Sequence, residues 1–141
     1  MQFVQESPEH HFLTLLEQIK QNTSGWAGIH VALSGKLEHD SLIANPAGIR
    51  DRLTALRREA DALVDDIKKG ETAFAGATLY LFADSDIVLL ARPEDEISRK
   101  ALRTVHKTLS DQAGEGLCTY NDMGKDLYDY QKMADQRLLG V

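Results

Sequence analysis

The chain has 141 residues and a formal net charge of −6, with 43% hydrophobic and 27% charged residues. That length holds one domain with its own core rather than two, and the composition is that of a globular protein. An acidic surface repels phosphate backbones and anionic lipid heads, and no apolar run approaches the roughly 20 residues that span a bilayer, so neither nucleic acid nor a membrane is expected as a partner.

Met1 to His11 carries Glu6, Glu9, His10 and His11 and lacks the basic and apolar regions of a secretory signal. Pro8 to Gln21 reads as a helix: Ser7 is the expected cap, Pro8 suits the first turn, and Phe12, Leu15, Leu16 and Ile19 make one apolar face. Asn22 to Gly25 breaks that pattern. Trp26 to Leu33 reads as a strand in which Ile29, Val31 and Leu33 alternate with Gly28, His30 and Ala32. Both sets are mostly apolar or small, so cover on both faces is expected. Lys36 to Asn45 reads as a polar loop, anchored by Leu37, Leu42 and Ile43.

Pro46 opens the longest helix, with Asn45 as the expected cap. Ile49, Leu53, Leu56, Ala60, Leu63 and Ile67 follow at heptad-like spacings, ending at Lys68, Lys69 and Gly70. Such a seam fits a second copy of the chain or a sheet of its own domain; the run is short for a coiled coil, which favours the sheet. Arg50, Arg52, Arg57 and Arg58 are interleaved with Asp51, Glu59, Asp61, Asp65 and Asp66, a mixed-charge face rather than a basic patch.

Phe74 to Ala91 reads as a tight hairpin whose two apolar runs meet at Ala83-Asp84-Ser85-Asp86. Arg92 and Pro93 end it. Pro93 to Gln112 is the next helix, with an acidic first turn (Glu94, Asp95, Glu96) and apolar Ile97, Ala101, Leu102, Val105 and Leu109. Gly114 and Gly116 stop it, and Gly116 to Tyr120 is a short strand. Asp122 caps a last helix with the stripe Leu127, Tyr130, Ala134 and Leu138. The order is α-β-α-β-β-α-β-α. The expectation is one α+β domain over 1–141, with a ferredoxin-like β-α-β-β-α-β antiparallel core at about 26–120 and terminal helices at about 8–21 and 123–138.

The chemistry is sparse. His10, His11, His30, His39 and His106 show no metal-ligand spacing, and no nucleophile elbow or phosphate loop occurs. Cys118 is the one cysteine, so no internal disulfide forms; this agrees with a reducing compartment, and a cytoplasmic protein is expected. Its expected role is a half-buried strand residue rather than a reactive thiol. His106 is expected at a helix surface. Trp26, Tyr120, Tyr128 and Tyr130 either line a recognition surface or close the core. Asp84 and Asp86 either brace the turn through backbone hydrogen bonds or bind a ligand with His30.

With its carboxylate-bearing central hairpin, the segment Gly28 to Tyr120 resembles in topology, and Phe82 to Leu90 in motif, the GGDEF family of diguanylate cyclases. The family's hairpin tip reads Gly-Gly-Asp/Glu-Glu-Phe, its glycines admitting GTP and an acidic residue holding a divalent metal. Here the tip reads Ala83-Asp84-Ser85-Asp86-Ile87, and Ile29 to Gly35 lacks the carboxylate that completes the family's metal site. The resemblance therefore implies a degenerate, catalytically silent member with no cofactor and no metal.

The expected function is a non-catalytic signalling or regulatory module acting by protein–protein interaction. Its partner is another protein or a second copy of the chain, through Phe12, Leu16, Leu53, Leu56, Leu63, Leu127 and Leu138. The alternative is a small-ligand or nucleotide sensor using His30, Asp84 and Asp86.

Overall fold

The computed structural model of the chain describes residues 1–38, 46–69 and 76–139. In chain order the elements are β1 (Gln2–Val4), α1 (Pro8–Gln21), β2 (Ala27–Val31), α2 (Gly35–Glu38), α3 (Pro46–Lys69), β3 (Thr78–Leu81), β4 (Ile87–Ala91), α4 (Glu96–Ala113), β5 (Cys118–Asp122) and α5 (Met123–Leu139). The fold is α+β, with one five-stranded sheet in the order β1-β3-β4-β2-β5. β3, β4, β2 and β5 pair antiparallel, and β1 adds to the β3 edge in parallel. α3 connects β2 to β3 across the intervening β4, and α4 connects β4 to β5 across β2.

The period-2 pleat sorts the strand side chains onto two cores. Ala27, Ile29, Val31, Leu79, Leu81, Ile87, Leu89 and Ala91 face a core with Leu56, Ala60, Leu63, Val64 and Ile67 of α3 and Leu102, Leu109 and Ala113 of α4. Tyr80, Phe82, Val88 and Leu90 face the opposite way, onto Phe12, Leu16 and Ile19 of α1 and Met123, Tyr130 and Ala134 of α5. The sheet is therefore covered on both faces, as the apolar character of the β2 segment suggests. Gly28 sits where α5 comes closest: a Cβ there would lie 2.7 Å from the Tyr130 ring.

Several expectations are corrected. Gln2–Val4 pairs with Thr78–Tyr80, a strand too short to show an alternation in sequence. Ser7 adopts a left-handed backbone at φ 44° and makes no side-chain cap. Gly35–Glu38 is one helical turn rather than loop. β5 lies at Cys118–Asp122, two residues later than the glycine-based boundary. Asp122 does cap α5, accepting from the Gly124 amide at 2.8 Å. α4 begins one residue after its cap, where the Asp95 carboxylate accepts from the Ser98 amide at 2.7 Å. The expected roles of Leu42, Ile43, Asn45, His39, Gly70 and Phe74 fall outside the described residues.

Candidate functional site at the hairpin tip

The β3–β4 turn is built from its own polar groups. The Ser85 amide donates to the Phe82 carbonyl and the Phe82 amide to the Asp86 carbonyl, each at 3.0 Å. Ser85 takes φ 72°, a left-handed conformation uncommon outside glycine. The Asp84 Oδ1 accepts from the Asp86 amide at 3.0 Å, the aspartate turn expected of this sequence. From the α3 side, Arg57 donates through Nη1 to the Phe82 carbonyl at 2.7 Å.

Strand alternation then turns Asp84 and Asp86 toward the α5 face, the side that also carries His30. The Asp86 side chain is only 5% exposed. Its Oδ1 accepts from the Ser34 amide at 2.9 Å, and its Oδ2 lies 3.1 Å from both His30 Nε2 and Arg137 Nη2. Burial opposes ionisation of Asp86, but the hydrogen bonds from His30 and Ser34 outweigh it and hold the carboxyl below the usual aspartate range. The same Arg137 Nη2 donates to Asp84 Oδ2 at 2.9 Å, and Nη1 donates to the Met133 carbonyl at 3.2 Å. The guanidinium lies over the Phe82 ring, 4.4 Å from its centroid. Its Nε is buried without a hydrogen-bond partner.

These groups converge on an open cavity of about 470 Å³ at the end of the sheet, lined by His30, Ala32, Ser34, Gly35, Asp84, Asp86, Met133, Gln136 and Arg137. All three residues singled out as ligand-binding candidates in the sequence, His30, Asp84 and Asp86, line it. Arg137 was missed, although its position carries a signal. Met123, Leu127, Tyr130 and Ala134 recur at spacings of four and three, and of the two positions that follow on that face, Leu138 is apolar and Arg137 is charged. A charged residue where the helix calls for an apolar one indicates an inward-facing cation with a specific partner.

The interface candidates have a different fate. Phe12, Leu16, Leu56 and Leu63 are buried in the cores of their own chain, and Leu127 and Leu138 are partly buried. Leu53 is 47% exposed. Tyr130 closes the core and donates from its hydroxyl to Asn121 Oδ1 at 2.9 Å, whereas Tyr128 faces solvent beneath the Lys132 ammonium. Trp26 packs partly buried against the α1/α5 core. His106 is half-buried against the Tyr120 ring rather than at the surface, and burial raises the pKa of the Cys118 thiol. Among the described residues, no group of three or more His, Cys, Asp or Glu is placed to hold a metal ion, and no helix is long and apolar enough to cross a membrane.

Comparison with protein-family models, with curated proteins and with solved structures found no match.

Proposed function

We propose that the chain is a non-catalytic regulatory module that binds a small polar ligand in the cavity at the hairpin tip. One observation carries the reading: polar side chains from β2 (His30), the β3–β4 turn (Asp84, Asp86) and α5 (Arg137) converge on one concave space at the end of the sheet. Ligand sites are typically concave, with a few placed polar groups. The carboxylates there are engaged by the chain's own donors, which leaves little capacity for the several-oxygen coordination that metal-assisted phosphoryl chemistry needs. That favours binding over turnover.

The antiparallel order β3-β4-β2-β5, with α3 and α4 each crossing one strand, supports the ferredoxin-like reading, with β1 as an added edge strand. It supports equally the resemblance to a degenerate cyclase domain, a fold-level analogy that supplies no activity.

A thermal-shift screen of small polar metabolites tests the proposal. A ligand at about one hundred times its Kd adds about 2.7 kcal/mol, a rise in melting temperature of roughly 5–10 °C for a domain of this size. The shift is expected to shrink in a His30→Gln variant. Failure of every compound, or a shift indifferent to His30, contradicts the reading, and GTP turnover with magnesium contradicts the non-catalytic part.

A second reading, docking of a protein partner, is favoured by the first half of α3. Among the described side chains of this helix, from Gly48 on, core burial begins at Leu56, and Leu53 upstream stays exposed. Light scattering on the native chain and on Leu53→Lys tests self-association: a native dimer that the substitution dissociates supports it, and a native monomer at high concentration removes it.

A further inference from the structure

Arg137 is held where it is by four contacts, and three of them are of the kinds by which proteins recognise an organic cation. Asp84 and Asp86 both accept from Nη2, and the guanidinium carbon lies over the Phe82 ring, 4.4 Å from its centroid. Carboxylates hydrogen-bonded to a guanidinium that lies over an aromatic ring form a guanidinium receptor. The fourth contact, from Nη1 to the Met133 carbonyl, is local to the helix that carries Arg137. The fit is incomplete, because Nε is buried with no acceptor. A tethered guanidinium leaves a donor desolvated that a free one, entering from the cavity, is not obliged to leave.

Charge decides which ligands the cavity admits. Among its lining residues the charged and titratable groups are Asp84, Asp86, Arg137 and His30. With Arg137 in place the carboxylates exceed the arginine by one charge. With Arg137 displaced, two neighbouring carboxylates are left, with His30 the one other titratable group among the lining residues; Arg57 reaches the turn from the α3 side and is bonded to the Phe82 carbonyl. A phosphate or carboxylate ligand meets repulsion in either state, whereas a cation restores the pairing that Arg137 provides. Asp84, whose side chain is 43% exposed, forms the accessible part of the receptor, and Asp86, 5% exposed, its floor.

We infer that the receptor formed by Asp84, Asp86 and Phe82 takes a compact organic cation, a guanidinium in the first instance, and that Arg137 is a built-in competitor displaced when the ligand enters. This rests on the ligand-binding reading above and names its ligand class. Displacement also has a local result. Arg137 is the ion pair by which α5 grips the β3–β4 turn, so its release removes that link while Met133 and Ala134 keep their places in the α1/α5 core.

The test is a titration with agmatine and with methylguanidinium, read by calorimetry and by the Arg137 Nε–H resonance of arginine-labelled protein. In the native chain the ligand is expected to shift that resonance. Arg137→Gln is expected to tighten binding by about tenfold, the gain if the native guanidinium is docked about nine-tenths of the time. Asp84→Asn is expected to weaken it. Arg137→Lys, which keeps the charge and loses the fork, serves if Arg137→Gln does not fold, and is expected to tighten binding less. An unmoved Nε–H signal at saturating ligand overturns displacement, as does a variant no tighter than the native chain. Parallel titrations with inorganic phosphate and with a neutral polyol separate the two proposals. Binding of either at the cavity overturns the cation assignment and leaves the ligand-binding reading standing. No binding by either cation overturns the cation assignment, and the ligand-binding reading falls with it only if the screen of small polar metabolites fails as well.

Discussion

Asp86 holds the end of the sheet together. It joins the start of β4 to His30 of β2 and to the Ser34 amide ahead of α2, and α5 to both through Arg137. Replacing it with alanine leaves a backbone amide, an imidazole and a mostly buried guanidinium short of an acceptor, and is expected to cost about 2–4 kcal/mol, read from the urea midpoint. Asp84→Ala removes a much more exposed carboxylate and is expected to cost under about 1 kcal/mol. Equal losses would mean that burial does not set the strength of this cluster. The pH dependence follows from the lowered Asp86 pKa. The stability it contributes is present above the ordinary aspartate value of 3.8 and is lost as pH falls through the lower folded value. The stability advantage of the native chain over Asp86→Asn should therefore hold at neutral pH and shrink below about pH 4. An advantage that grows on acidification contradicts the assignment. At Gly28, alanine would press on the Tyr130 ring, which is buried and tied to Asn121, so about 1–3 kcal/mol of destabilisation is expected.

At the scale of elements, periodicity decided what was legible. α1 falls on the residues its stripe names, because Phe12, Leu16 and Ile19 recur with the period of a helix and Pro8 opens it. α3 reads as a single apolar seam, yet its two halves live differently: Leu63 is buried on the sheet and Leu53 is not. Leu63→Ala is expected to cost about 2–4 kcal/mol and Leu53→Ala under about 0.5 kcal/mol by chemical denaturation. Where the structure departs from the sequence pattern, a physical reason is visible. β1 has three residues, too few for alternation to register, and it is a strand because β3 offers it an edge. Two glycines, Gly114 and Gly116, flank the link into β5 with positive φ, so the strand begins only after the backbone has turned. The candidate site was legible by half. Asp84 and Asp86 announce themselves at a turn and His30 on an apolar strand, but the partner that joins them, Arg137, lies more than fifty residues away on another element.

At the scale of the whole molecule, the sheet is a partition between two cores. α3 and α4 pack one face, and α1 with α5 the other. The cavity lies on the α5 side, bounded by the last turns of α5, the end of β2 and the β3–β4 turn, so the layer added outside the β-α-β-β-α-β core supplies one wall of the site. A chain lacking α1 would expose Phe82, Tyr80 and Val88 and weaken the seat of α5; loss of cooperative unfolding with dye binding to apolar surface is expected. Retained cooperative folding would show that α1 is dispensable to the second core. The central claim is that the end of the sheet on the α5 side is a ligand site. Backbone amide NMR of the full chain, titrated with the compound that stabilises it most, tests this claim most directly. The account predicts that the amides of Ser34, Ser85, Asp86 and Arg137 move together on one binding curve. A bound compound that leaves those four unmoved while shifting amides elsewhere contradicts it.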